Sequence, residues 1–174
     1  MKQQKLETDR LILRRWRRED HAPFAAFCAD PDVMEFIGSG ATLTPEQASG
    51  LITCFEKAWD ENGYGLFAAE RRETNEFIGF AGLARPGFMP ELLPSVEIGW
   101  RLGKAHWGKG YATEAAAEAL AFGIRCAAVE DIVSICQVGN VASTRIMQKI
   151  GLEFDQRSID PTCNRDVVVY RLPR

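Results

Sequence analysis

The chain has 174 residues, 46% of them apolar and 26% charged, with a net charge of −3. This is enough chain to bury a core without disulfides or metals, so the sequence reads as one domain over residues 1–174. The acidic balance excludes a protein whose main partner is nucleic acid. The five scattered cysteines (Cys28, Cys54, Cys126, Cys136, Cys163) fit neither a disulfide frame nor a zinc site, and no run reaches the length of a membrane-spanning helix. A soluble, cytoplasmic protein with reduced core cysteines and no metal is expected.

Arg10 to Arg14 reads as the first strand. The cluster Arg15-Trp16-Arg17-Arg18 has the look of a nucleic-acid patch, but Glu19 and Asp20 follow at once, which favours a solvated strand end. Asp20 is placed as the N-cap of a helix over His21 to Ala29 that Pro31 ends, with Phe24 and Phe27 on one face. A short turn or helix over Val33 to Ile37, then Gly38-Ser39-Gly40, predicts a hinged lid. Thr44, Pro45 and Gln47 form a capping box with a proline at the first helical position, opening a helix that carries Leu51, Ile52, Phe55, Ala58 and Trp59 and that Gly63 closes. Gly65 to Arg71 and Phe77 to Arg85 predict a β-hairpin, and a proline-rich loop leads to a strand over Val96 to Leu102. Tyr111 to Ala127 is helical, Ile132 to Val138 a strand, and Asn140 to Ile150 a short helix stopped by Gly151. Leu152 to Arg157 and Val167 to Leu172 close the chain as two strands around a loop at Asp160-Pro161.

One stretch, Ser95 to Ala116, passes from strand to glycine loop to helix start, an order that turns bare N–H groups and a helix dipole toward a phosphate. Two nucleotide motifs nearly match it. Gly103, Gly108 and Lys109 satisfy part of a P-loop, but Gly110 stands where a hydroxyl must hold magnesium, and Asp131 precedes its strand instead of following it. A dinucleotide fingerprint needs glycine where Thr113 stands, and Glu130 also comes before a strand.

Beyond these near-matches, the order of elements resembles the GNAT superfamily of acyl-CoA-dependent N-acetyltransferases. The matching residues are Gly108-Lys109-Gly110-Tyr111-Ala112-Thr113-Glu114-Ala115 for the pyrophosphate loop, and Asn140, Ser143, Lys149 and Gly151 for the later motif. Leu6 to Arg14 further resembles the branch that acetylates the N-terminal amine of ribosomal proteins, alanine N-termini among them. The resemblance implies an α/β (α+β) fold: a mixed, mostly antiparallel twisted sheet of six or seven strands with one splayed parallel pair, and helices on both faces.

It also implies a site. Acetyl-CoA is expected between the strands Val96 to Leu102 and Ile132 to Val138, its pantetheine arm paired with backbone groups from about Ile98 through Gly99 and Trp100 to Leu102. Its pyrophosphate is expected on the N–H groups from Trp107 through Gly108, Lys109, Gly110, Tyr111 and Ala112 to Thr113. Trp107 departs from the Gln or Arg usual in the family. Lys104, His106 and Lys109 add charge or are plain solvated side chains. Glu97, on the face opposite Val96 and Ile98, is the candidate general base, or an exposed carboxylate in an ion pair. The family's proton-donating tyrosine falls at Met147, which leaves Ser143 as candidate acid, while Asn140 either holds pantetheine or only caps its helix. The implied activity is acetyl transfer to a primary amine, a peptide N-terminus above all. Small-molecule amines, a non-catalytic acyl-CoA-binding module and a homodimer stay open, with no nucleic-acid or membrane partner. Acceptor choice is expected to rest on residues Asp30 to Gly40, Pro86 to Pro94 and Ile159 to Arg165.

Overall fold

The structure, a computed structural model, describes residues 4–127 and 129–173. Eight strands form one sheet: β1 (Lys5–Glu7), β2 (Leu11–Arg14), β3 (Leu66–Arg71), β4 (Phe77–Ala84), β5 (Val96–Leu102), β6 (Ile132–Gln137), β7 (Glu153–Asp160) and β8 (Arg165–Arg171). Their order across the sheet is β1-β2-β3-β4-β5-β6-β8-β7, and every neighbouring pair is antiparallel except β5 with β6. The strand beyond those anticipated is β1, which pairs only with β2 at the sheet's edge. The final hairpin is longer than the sequence suggested, and its turn falls at residues 161–164.

Five α-helices flank the sheet: α1 (His21–Cys28), α2 (Pro31–Met34), α3 (Pro45–Asn62), α4 (Tyr111–Arg125) and α5 (Val141–Lys149). Pro31 opens α2, where Asp30 accepts a hydrogen bond from the Asp32 N–H. Thr44 and Gln47 cap α3 reciprocally at 3.3 and 2.8 Å, and Gly63 ends it at a φ of +74°. Strand alternation sends Leu13, Phe67, Leu83 and Ile98 to one core with Ala115, Ala119 and Phe122 of α4. Ala68 and Phe80 face a second core with Phe24 of α1 and Ile52 of α3. A third, smaller cluster joins Met89 and Leu92 to Val133, Val167 and Val169.

Two early expectations are corrected. The stretch after β2 is a solvated strand end only in part: Arg17, Arg18 and Glu19 are exposed, but Trp16 is buried among Phe24, Phe55, Phe77 and Phe80, its indole N–H donates to the Leu66 carbonyl, and Arg15 pairs with Glu56 and Asp60. Asp20 precedes α1 but makes no side-chain cap, because its carboxylate grips Arg14 at 2.7 and 2.8 Å. Glu70 accepts a third bond from the same buried guanidinium at 2.8 Å. Burial works against the Arg14 charge, and the two carboxylates outweigh it, so its pKa is raised. Of the cysteines, all free, Cys28 and Cys136 are buried while Cys54 and Cys126 are exposed.

Candidate active site

Strand β5 alternates its backbone groups as well as its side chains. The N–H of Gly103, just past its end, donates to Ile78 of β4, which turns the odd-numbered backbone groups toward β4. The even-numbered ones turn toward β6: the Val96 N–H meets the Asp131 carbonyl, and the Ile98 carbonyl accepts from Ser134 Oγ at 2.8 Å. The two strands pair at Val96 with Ile132 and Glu97 with Val133, and then part. Past that point the N–H and C=O of Trp100 and the N–H of Leu102 face the gap, while the Leu102 carbonyl is taken by the Trp107 indole at 2.9 Å. Gly99 stands opposite Gly82 with its backbone turned to β4, so its backbone does not front the gap as expected. The Ile98 carbonyl is likewise occupied.

The gap opens onto the start of α4. Gly108 and Gly110 hold φ of +71° and +80°, and Gly110 is the N-cap residue, with no side chain capping the helix. The N–H groups of Tyr111, Ala112 and Thr113 therefore lack intrahelical partners, at the positive end of the dipole. A Cβ would meet nothing within 4 Å at Gly108, and only the Arg10 guanidinium at 3.3 Å at Gly110. The backbone angle, not crowding, asks for glycine there.

Charge near the loop is spoken for. Lys104 pairs with Asp32, Lys109 donates to the Ala105 carbonyl at 2.8 Å, and His106 is buried, which pushes its pKa down. The loop is instead fixed by residues of the Leu6 to Arg14 stretch. Thr8 Oγ1 and the Arg10 N–H bind Glu114 Oε1 at 2.6 and 2.9 Å. The Arg10 guanidinium binds Glu114 Oε2 at 2.6 Å and the Lys109 carbonyl at 2.9 Å, and lies over the Tyr111 ring. Thr8 and Arg10, fixed to the acidic first turn of α4, were the signal in the sequence.

On the other side of the gap, Asn140 caps α5 by accepting from the Ser143 N–H at 3.1 Å. Ser143 lines a cavity of about 410 Å³ between the end of β5, the loop that opens α4, and α5, with Trp100, Tyr111 and Ile146. Met147 is wholly buried in the main core, so that position fronts no cleft. The segment from Asp32 to Ile37 closes the cavity's remaining side. It is tethered rather than loose: Arg165 donates to the carbonyls of Glu35 and Ser39 at 3.0 and 2.6 Å, and Gln137 to that of Gly38 at 2.7 Å.

Glu97, Gly99 and Arg101 share the face of β5 that looks toward α1 to α3. Glu97 sits between Ala84 and Val133 with no hydrogen bond or ion pair among the described residues, and burial pushes its carboxyl up to about 8. Glu130 and Asp131 precede β6, the wrong end of the strand for either nucleotide motif, and Asp131 is engaged by Arg171 and Ser95. No group of three or more metal-ligating side chains, and no helix long and apolar enough to cross a membrane, occurs among the described residues.

Residues 10–153 match the family model of the acetyltransferase (GNAT) domain. The chain is a GNAT acetyltransferase. This acetyltransferase is similar to YkkB of Bacillus subtilis, at 34% identity over 95% of this chain and 94% of that protein. It is similar also to YoaA of Bacillus subtilis, named as an N-acetyltransferase, at 32% identity over 85% and 82% of the two chains. The crystal structure of an acetyltransferase from Agrobacterium tumefaciens superposes on it with a TM-score of 0.82, at 27% identity, covering 98% of this chain and 95% of that one.

Proposed function

We propose that this acetyltransferase moves an acetyl group from acetyl-CoA to a primary amine by direct attack in a ternary complex, the acceptor being a peptide or protein N-terminus. The observation that carries the reading is the gap between β5 and β6, opening directly onto the uncapped, glycine-framed start of α4. The residues fit such a molecule: free N–H groups of Tyr111 to Thr113 suit a pyrophosphate, and the unpaired N–H and C=O of Trp100 suit an amide-bearing arm lying like an added strand. When bound, the thioester supplies an activated acetyl group. Everything else falls to this chain.

Glu97, as carboxylate, takes the proton of the incoming ammonium through water, which leaves a neutral nucleophile. Ser143 gives its hydroxyl proton to the departing thiolate and regains one from solvent. Asn140 contributes by fixing the first turn that carries Ser143. The Leu6 to Arg14 signature supports a peptide acceptor. A small-molecule amine is the second reading, favoured by the tethered segment that closes the cavity. Release of free thiol from acetyl-CoA with a panel of small amines and short peptides tests both. CoA binding without turnover on any amine would make the chain a binding module instead.

A further inference from the structure

Two arginines of the sheet point inward, and only one has counter-charges. Arg14 is held by Asp20 and Glu70. Arg101, on β5, has a buried Nε with no hydrogen-bond partner, and its Nη1 lies 3.6 Å from Cys28 Sγ and 3.8 Å from Met34 Sδ. The guanidinium lies 5.3 Å from the centre of the Phe80 ring, and no carboxylate pairs with it among the described residues. Burial pushes its pKa down. A cation left without a counter-ion in such surroundings is destabilising, and costs of this kind cluster at functional sites.

What completes it must come through the cavity, which Arg101 lines. Next on the same face is Gly99, where a Cβ would meet nothing within 4 Å, so space lies over the strand between Arg101 and Glu97. We propose that Arg101 receives a carboxylate of the acceptor, so that the acceptor is a primary amine with an acid group close by. The guanidinium's planar fork matches a carboxylate with two parallel hydrogen bonds. The acid then sits toward Arg101 and the amine toward Glu97. Alternate residues of a strand lie about 7 Å apart, so Glu97 and Arg101 stand on either side of Gly99 with about 13 Å between their Cα atoms, and both side chains must lean over Gly99 to meet one acceptor. The α-carboxylate of a free amino acid and the side chain of an Asp or Glu at a peptide's first position share this chemistry. The inference rests on the proposed acetyltransfer.

The test compares acid and neutral partners of one acceptor. Free amino acids are assayed beside their C-terminal amides, and amidated tetrapeptides beginning with Asp or Glu beside those beginning with Asn or Gln. The wild-type enzyme is expected to favour the acid member of at least one series by about 10- to 100-fold in kcat/KM, and the series that shows it identifies the source. Arg101→Met should abolish that preference through KM for the acceptor, leave the KM for acetyl-CoA unchanged, and melt no lower than wild type, since it removes a half-buried guanidinium whose Nε has no partner. Equal use of acid and amide by the wild-type enzyme overturns the inference while leaving acetyltransfer intact. So does an Arg101→Met protein that melts lower and loses acid and amide substrates alike, because the arginine is then structural. Turnover of no amine at all removes the acetyltransfer reading and this inference with it.

Discussion

Glu97→Gln separates the two consequences of placing a carboxyl on the inner face of β5. The folded protein holds the Glu97 proton up to about pH 8, against 4.5 for the ordinary side chain, because burial penalises the charged form. Between those values the folded state binds more proton than the unfolded chain, so stability from this group is full below pH 4.5 and is lost as pH rises toward 8. A tenfold change in ionisation is worth about 1.4 kcal/mol, so between about pH 6 and pH 8.5 the wild-type protein should lose on the order of 2–3 kcal/mol that Glu97→Gln retains. Urea denaturation of both proteins at the two pH values measures it, and subtracting the variant cancels every other titrating group. The rate should move the opposite way. Wild-type turnover climbs as the carboxylate forms toward pH 8, and the variant stays low across the range. A stability gap between the two proteins that is the same at both pH values, within about 0.5 kcal/mol, refutes the assignment of a protonated Glu97.

Gly110→Val puts a β-branched side chain at a φ of +80°, at a cost of at least about 1–2 kcal/mol to the loop, and should weaken acetyl-CoA binding by about tenfold or more in calorimetry. Unchanged affinity would reduce the loop to a connector. Ser143→Ala should lower kcat about 100-fold or more, in the range typical of a lost general acid, with acetyl-CoA affinity nearly unchanged; an intact rate means the thiolate takes its proton elsewhere. Asp20→Ala leaves the buried Arg14 with Glu70 alone and should cost about 3–5 kcal/mol in chemical denaturation, while a loss under about 1 kcal/mol would show the network to be dispensable.

Where the sequence carried a period or a stop, the fold was legible. Thr44-Pro45-Gln47 and Gly63 bracket α3 within one residue, since capping chemistry is local. β1 was not legible, because Lys5-Leu6-Glu7 is too short to show alternation and exists only through pairing with β2. The ladder is what defines it. In the site, Gly108, Gly110, Asn140 and Ser143 lie where their motifs put them, at a helix start and at the first turn of another. Arg101 was not legible, because the apolar alternation of Val96, Ile98, Trp100 and Leu102 defines the strand and leaves its other face unmarked. Its signal was Glu97, Gly99 and Arg101 alternating on the second face of an otherwise apolar strand, where the structure leaves them half-buried. Asp20 misled for the opposite reason. It stood where an N-cap belongs, and only the fold could bring Arg14 to it.

The parallel junction of β5 and β6 is held by two residue pairs, Val96 with Ile132 and Glu97 with Val133, extended on either side by the Val96 N–H bond to Asp131 and the Ser134 hydroxyl on Ile98. On either side of it, antiparallel ladders run five and six residue pairs long without interruption. The sheet thus has a built-in fracture line between a five-stranded and a three-stranded slab, and a ligand lying along it acts as a splint. Amide hydrogens flanking that line should exchange faster than those of the slabs, and slow most when acetyl-CoA is added.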